Sequence, residues 1–279
     1  ILTHDFTWTS GLTFSINRNE VTKLYSESSA ISGINGNETL TYTMVGEPVG
    51  QFYGYKVIGM FKEESDFYKK DADGNFQLDE AGNRIRIAIP KGQQISKNGI
   101  WVGDYIYEDL HEDGVIDEKD RTFLGNPAPK FTFGFNNYFA YKGFDLNIFL
   151  NGSVGNKAVN LIRRTFTDPM RNSNLLKEAT DIALIGMHDP EVGDEELSNV
   201  YIVNADRAKV QRVTTSSAND NNRISSRFIE DASYLRIKNI SLGYTFPPKV
   251  AAPFTNRQYT ALRQYSEPLH HQWLQRIRP

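Results

Sequence analysis

The chain has 279 residues, a formal net charge of −3, no cysteine and a mean hydropathy of −0.49. The lack of cysteine excludes disulfides and thiolate sites, and a balanced charge without a basic block argues against nucleic acid as a partner. No run of 18 apolar residues occurs, which excludes a transmembrane helix. Because the chain opens at Ile1 directly in a strand-like pattern, we expect a fragment or a processed product.

The first predicted element is a long strand over residues 3–17. Its residues alternate between an apolar face and a polar face, which is the period of a strand. The apolar face carries His4, Phe6, Trp8, Ser10, Leu12, Phe14 and Ile16. A short strand is expected near 40–45 and a further strand at 49–62, where interior glycines indicate a bulge or a close backbone approach. Residues 63–129 are then expected to form a long excursion rich in charges and turn signals.

Residues 130–153 predict a hairpin of two long amphipathic strands. Phe131, Phe133, Phe135, Asn137 and Phe139 share one face, the turn follows at residues 141–143, and Phe144, Leu146, Ile148 and Leu150 continue the apolar alternation. Residues 156–226 are mixed and polar, and a helix is predicted over 175–187. The alternation returns over 227–246, and its phase slips before Ile240, which predicts a β-bulge.

These strands favour an all-β fold, an antiparallel transmembrane β-barrel that is incomplete and carries long extracellular loops. Strands of about ten residues are long for a soluble domain, where ~5–6 is the mode, but ~9–11 residues cross an outer membrane when tilted. Aromatic residues also cluster at the strand ends, as in the aromatic girdles of membrane barrels. A water-soluble β-sandwich shows the same alternation, although its strands are expected to be shorter.

An acidic loop at residues 109–120 has the spacing of a calcium loop. Asp109, Asp113, Asp117 and Asp120 fill positions 1, 5, 9 and 12, the Val115 carbonyl falls at position 7, and Gly114 permits the sharp turn at position 6. His111 at position 3 and the short Asp120 depart from the pattern. The alternative is that these acids only cap turns in a solvated loop. A second acidic cluster, Asp71, Asp73, Asn75 and Asp79, has looser spacing and is interpreted as a solvated turn.

Several motifs in a fixed order resemble one family. The chain carries GDYIYED at 103–109, DGVID at 113–117, DRTFLGNPAPKF at 120–131, GFNN at 134–137 and YKGFDL at 141–146. Two more matching stretches are GEPVGQFYGY at 46–55 and FIEDASYLRIKNISLGY at 228–244. This run closely resembles the C-terminal part of SusC/RagA-type TonB-dependent outer-membrane transporters, over about residues 1–250.

The resemblance implies part of an importer of oligosaccharides or peptides in the cell outer membrane. It also implies a SusD-like surface lipoprotein as a lid, TonB as the source of energy, and outer-membrane lipid around the barrel. The plug domain and the TonB box belong to the family's N-terminal part, which the match does not cover. The full barrel resembles the 22-stranded plugged class, and this chain has too few strands to close such a wall.

The tail after residue 250 does not resemble the family, and we predict a frameshift there. When Gln258–Pro279 is back-translated and read one base later, the genetic code permits a string that resembles the next family strand. The overlap of Trp273 with Leu274 then gives glycine, which that string needs. The domain boundaries are therefore 1–250 for the barrel part and 251–279 for a non-homologous tail, in which His270, His271 and Trp273 have no selected role. The alternative is a genuine divergent tail.

Three classes of function remain to be compared. The first is a fragment of a TonB-dependent importer, which is not an enzyme and requires no cofactor apart from possible calcium in the 109–120 loop. The second is a secreted, calcium-stabilised β-sandwich that binds carbohydrate. A hydrolase is the third, but no nucleophile triad, metal triad or paired carboxylates stand out in the sequence. Long strands with one apolar face favour the importer.

Overall fold

The computed structural model describes residues 5–26, 29–246, 260–265 and 269–272, the last two segments by their backbone alone. Within these ranges it is an all-β structure with one short α-helix, α1 (Leu161–Phe166). The strands are β1 (Phe6–Ser15), β2 (Ile31–Asn35), β3 (Glu38–Thr43), β4 (Gln51–Tyr55), β5 (Val57–Met60), β6 (Ile89–Pro90), β7 (Tyr105–Tyr107), β8 (Val115–Ile116), β9 (Arg121–Gly125), β10 (Phe131–Tyr141), β11 (Phe144–Val154), β12 (Lys157–Val159), β13 (Ile185–Met187), β14 (Val200–Ile202), β15 (Ile229–Asp231), β16 (Tyr234–Thr245), β17 (Thr260–Tyr265) and β18 (Leu269–Gln272). Short 3-10 helices lie at Glu64–Phe67, Glu118–Asp120, Lys177–Asp181, Leu197–Asn199 and Ser226–Phe228.

The main sheet has the order β1-β10-β11-β16, and its strands are antiparallel, as expected for a barrel wall. The β10–β11 hairpin turns at Lys142 and Gly143, whose φ angles of 45° and 88° are both positive. Two consecutive positive φ angles characterise the type I′ turn, whose twist matches that of the flanking strands. The turn keeps Phe139 opposite Leu146 and Phe135 opposite Leu150, so the apolar residues of both strands share one face.

One face of this sheet is apolar and uncovered. Leu12 pairs with Phe135, and Ile148 pairs with Ile240, so the apolar residues of all four strands align across the sheet. The exposed fraction is 69% for Leu12 and 52% for Phe144. The two inner faces of a β-sandwich are buried against each other. Exposure of this face therefore argues against the sandwich alternative, while a face turned to lipid is expected for a barrel wall.

The predicted β-bulge is confirmed in β16. Phe149 pairs with Asn239, whereas Leu150 pairs with Ile237, so Lys238 is the extra residue in β16. Without the extra residue, the apolar residues on one side of the bulge would move to the polar face of the sheet. The bulge therefore keeps both Ile237 and Ile240 on the apolar face.

The segments β17 and β18 both pair with β16 on the side away from β11. Residues 260–265 and 269–272 thus contribute backbone to the position of the next strand. Strand pairing uses backbone groups that most sequences offer, so this arrangement does not test the frameshift hypothesis or the boundary at residue 250, and both stay predictions. Trp273 and the two prolines at 247–248 lie outside the described residues.

The two long excursions, residues 16–130 and 155–233, leave the sheet at the same end. Ser15 lies opposite Thr132, and Ser153 lies opposite Tyr234, while the tight turn at Lys142 lies at the other end. The excursions pack on each other around one hydrophobic core. Its members include Phe61, Phe67, Ile100, Trp101, Val102, Ile116, Val200 and Ile202. We name this body of two packed excursions the head.

The head differs from its sequence-based description in two respects. Residues 63–129 do form an excursion, but they contribute the largest part of the core and are not mainly solvated loop. The helix predicted over 175–187 is wrong, because this segment holds a 3-10 helix, Lys177–Asp181, and the strand β13. Ile182 has extended backbone angles and bridges Val210, which ends the helical turn. Among the described residues, no helix is long and apolar enough to cross a membrane.

Candidate functional site

The acidic loop 109–120 folds as the turn that its spacing predicts. Gly114 has a φ of 81°, and the loop then forms β8 and a 3-10 helix that begins after Asp117. Asp109 Oδ2 accepts from the Gly114 amide at 3.0 Å, and Asp113 Oδ1 accepts from the Val115 amide at 3.1 Å. Each carboxylate thus closes part of the turn by binding a backbone N–H.

Asp117 and Asp120 form a reciprocal cap. Asp117 accepts from the Lys119 amide at 2.9 Å, and Asp120 Oδ2 accepts from the Asp117 amide at 2.8 Å. Asp120 is 1% exposed, and its Oδ1 also accepts from the Leu110 amide. This arrangement is a capping box, in which two side chains satisfy the backbone donors at the start of a helical turn.

The carboxylates do not converge on a shared point in this arrangement. Within the described ranges, no group of three or more Asp, Glu, His or Cys side chains could hold a metal ion. One oxygen, Asp109 Oδ1, is buried without a hydrogen-bond partner. As arranged, the residues fit the turn-capping alternative better than a calcium cage, and calcium binding by Asp109, Asp113, Val115, Asp117 and Asp120 stays a prediction.

The second acidic cluster belongs to two equivalent turns eight residues apart. Asp71 and Asp79 each begin an Asp-x-x-Gly-Asn turn, and each Oδ1 accepts from two backbone amides. The amide of the asparagine that ends each turn is the largest cause that lowers the pKa of these carboxyls. The interpretation as solvated turns agrees with this geometry.

A cavity of about 1030 Å³ lies in the head between the two excursions. The first excursion contributes β5 and Tyr105, and the second contributes α1, residues 175–181, residues 208–209 and the start of β15. The charged lining consists of five cations, Lys62, Arg163, Lys177, Lys209 and Arg227, and three carboxylates, Glu178, Asp181 and Glu230. The cavity is therefore open to polar ligands and is positively charged on balance.

Arg163 is held by several partners at the wall of this cavity. Its guanidinium forms a bidentate ion pair with Glu178, lies 3.5 Å from Glu230 and donates to the Arg227 carbonyl at 2.8 Å. Asn160 caps α1 by accepting from the Arg163 amide at 2.8 Å and also donates to Glu230. Burial raises the pKa of Glu178, but the hydrogen bond and charge of Arg163 outweigh that effect and leave the pKa lowered.

Arg227 is held in a different way from Arg163, by an aromatic ring. Its guanidinium lies 3.8 Å from the ring centroid of Tyr105, which is the geometry of a cation–π contact. Its Nη2 atom is buried and has no hydrogen-bond partner. Burial is the largest cause that lowers the pKa of Arg227 and that raises the pKa of Tyr105. Arg227 is thus held in place by an aromatic ring while part of its donor capacity is unused.

The sequence motifs did not point to this cavity. Tyr105, Arg163, Glu178 and Arg227 are far apart in the chain and come from four different elements. The one local signal is Asn160 before Leu161, since asparagine is a preferred N-cap residue.

No protein-family model matches the chain. Curated relatives do match: TonB-dependent receptor P3 of Formosa agariphila is 29% identical over 251 residues, which are 88% of this chain and 20% of that protein. TonB-dependent receptor SusC of Bacteroides thetaiotaomicron is 22% identical over 246 residues, which are 88% of this chain and 19% of that protein. The chain thus spans about a fifth of the length of these relatives.

Solved structures agree in fold. The RagAB peptide transporter superposes with a TM-score of 0.55 at 16% identity, covering 97% of this chain and 24% of that chain. RagAB in its closed-closed state gives a TM-score of 0.51 at 18% identity, covering 96% of this chain and 24% of that chain.

These findings confirm the fold, an incomplete all-β wall like that of the barrels of TonB-dependent transporters. The resemblance to the SusC/RagA type is confirmed as well, and the outer-membrane location that it implies agrees with these relatives.

Proposed function

We propose that this chain forms part of the wall and the extracellular head of an importer that carries oligosaccharides or peptides across the outer membrane. The observation that supports this proposal best is the sheet β1-β10-β11-β16, which has one apolar, exposed face and one polar face. In outer-membrane barrels the apolar face meets lipid, the polar face lines the interior, and the long loops are extracellular. Because the head consists of the two long loops, it is the extracellular part in this proposal. The tight turn at Lys142 then lies at the periplasmic end.

The proposal includes two protein partners. A SusD-like surface lipoprotein would cover the extracellular end as a lid, and TonB would supply energy through a part of the protein that precedes this chain. Support comes from the relatives, which include SusC, and from RagAB, which is described as a peptide importer. No nucleic acid is proposed as a partner, because the net charge is −3 and basic residues are dispersed.

An enzymatic function has less support. The relatives are named receptors and the structural neighbours are transporters, which points away from catalysis. The secreted β-sandwich alternative is not favoured, because its inner face would be buried, whereas Leu12 and Phe144 are more than half exposed.

Uptake assays test the proposal. Cells that lack the gene are compared with complemented cells for uptake of fluorescently labelled oligosaccharides and peptides, and a strain without TonB serves as the energy control. We expect uptake of at least one ligand class to require both the gene and TonB. Pull-down of the protein from detergent-solubilised membranes is expected to recover a surface lipoprotein. Unchanged uptake of every labelled ligand in the deletion strain would contradict the proposal.

A further inference from the structure

Arg227 is a cation of the head cavity that forms no ion pair among the described residues, although the charge of Glu178 acts on it. Arg163 is paired with Glu178, Arg164 with Glu38, and Arg212 with Asp104. Among the described residues no carboxylate lies within ion-pair distance of Arg227, and its Nη2 is buried without a hydrogen bond. A buried cationic donor without a partner is unfavourable, so a small movement of the side chain that lets an incoming anion accept from it would be favoured.

The surroundings of Arg227 also favour an anion. Two of the three carboxylates of the cavity, Glu178 and Glu230, are already engaged by Arg163. Lys177 and Lys209 line the same cavity and are exposed, so their ammonium groups are available to a ligand. The Tyr105 ring packs against the Arg227 guanidinium from one side, with 3.8 Å between Cζ and the ring centroid, and restricts its movement. A fixed guanidinium plane suits the planar, bidentate recognition of a carboxylate.

We propose that the head cavity binds a carboxylate group of the imported ligand, with Arg227 as the principal contact and Lys177 and Lys209 as flanking cations. This inference rests on the proposed import function and adds the chemical class of its substrate. The carboxylate would come from an acidic oligosaccharide or from an acidic peptide, since both present the same group. The cavity volume of about 1030 Å³ leaves room for more than one residue of either oligomer.

Calorimetry on the purified protein in detergent tests the proposal with matched ligands. One pair is a short oligogalacturonate and its fully methyl-esterified form, and the other is an acidic peptide and the same peptide with Asn and Gln in place of Asp and Glu. We expect at least one acidic ligand to bind about tenfold or more tightly than its neutral counterpart, as lost charge-assisted hydrogen bonds predict. The pair that shows the preference identifies the source of the carboxylate.

Variants locate the preference in the cavity. Arg227→Met keeps an apolar side chain but removes the guanidinium group, and it is expected to abolish the preference for the acidic ligand. Arg223→Met is the matched control, because Arg223 also stacks on tyrosines, Tyr55 and Tyr107, but does not line the cavity. The exposed lysines give a second test that does not depend on the packing of Arg227: Lys177→Met and Lys209→Met are each expected to weaken acidic binding severalfold.

Two results would overturn the inference. One is equal affinity for the acidic and neutral forms of both ligands. The other is an acidic preference that survives Arg227→Met together with the two lysine variants. The uptake assay separates this outcome from failure of the import function: if neutral ligands still enter in a TonB-dependent manner, the carboxylate site is wrong and import stands. If no ligand enters, the proposed function itself is wrong.

Discussion

The buried pair Asp104–Arg212 is expected to hold the two excursions of the head together. Arg212 Nε and Nη2 donate to the two oxygens of Asp104 at 3.0 and 3.1 Å, and the side chains are 6% and 1% exposed. Arg212 also donates to the Lys97 and Gly99 carbonyls at 2.9 Å each. Asp104 belongs to the first excursion and Arg212 to the second, so the pair closes the interface between them.

Removal of one partner leaves the other charge buried. Such a change costs roughly 3–5 kcal/mol, whereas an exposed pair contributes about 0.2–1 kcal/mol. We therefore expect Arg212→Met and Asp104→Asn each to lower the free energy of opening of the head by roughly 3–5 kcal/mol. Lys56→Met is the matched control, because the Lys56–Glu108 pair also joins distant residues but its side chains are 51% and 30% exposed.

Amide hydrogen exchange on the purified protein in detergent measures this free energy of opening. Suitable reporters are the amides of Phe61, Gly103 and Arg212, which bond the Asp104, Phe61 and Gly103 carbonyls respectively. The double variant is expected to lose about 0.5–3 kcal/mol less free energy of opening than the two single variants lose in sum, because it leaves neither charge buried without its partner. A change below about 1 kcal/mol for Arg212→Met, no larger than for Lys56→Met, would refute the reasoning.

Three further predictions concern the acidic loop, the tail and the isolated chain. Asp113→Ala is expected to loosen the 109–120 turn, because the Val115 amide loses its acceptor. Calorimetry that detects no heat of calcium binding to the unsubstituted protein would reject the predicted calcium site but not the turn. The coding DNA of the tail is expected to contain the family string one base out of frame downstream of codons 251–257, and an in-frame sequence without it would favour a divergent tail. The 279-residue chain in isolation is expected to show no heat-modifiable band and to aggregate without detergent, because the outer edge of β1 is unpaired within the described sheet and the apolar face meets water. A monodisperse, cooperatively melting soluble monomer would contradict that expectation.

The sheet could be predicted from the sequence because its two faces meet different surroundings. A strand between lipid and a polar interior must alternate, and the alternation is long enough in β10 and β11 to fix both the strand and its register. The phase slip around Lys238 was visible for the same reason, since a bulge is the simplest way to restore the apolar face. The spacing of the acidic loop likewise predicted a turn, because Gly114 and the aspartates define local geometry.

The head could not be predicted in the same way. Its core residues, such as Phe67 in a short 3-10 helix and Trp101 in a loop, stand in segments where no period of 2 or 3.6 recurs. The helix predicted over 175–187 failed because Ile182 and Ile185 pair with distant segments, Val210 and Ile202, and these tertiary contacts override local spacing. The cavity depends on the same long-range packing, so Arg227 could not be linked to Tyr105 before the fold was known.

The position of the cavity connects the stability of the head with ligand binding. The cavity takes Tyr105 from the first excursion and Arg227 from the second, and the same interface contains the Asp104–Arg212 pair. Tyr105 also bonds across the interface to the second excursion, since its amide donates to Asn221 Oδ1 and its hydroxyl donates to the Lys209 carbonyl. A change that separates the excursions would therefore move the ring that orients Arg227. For that reason, Arg212→Met should weaken the binding of acidic ligands although Arg212 itself does not line the cavity, whereas Lys56→Met should leave that binding unchanged.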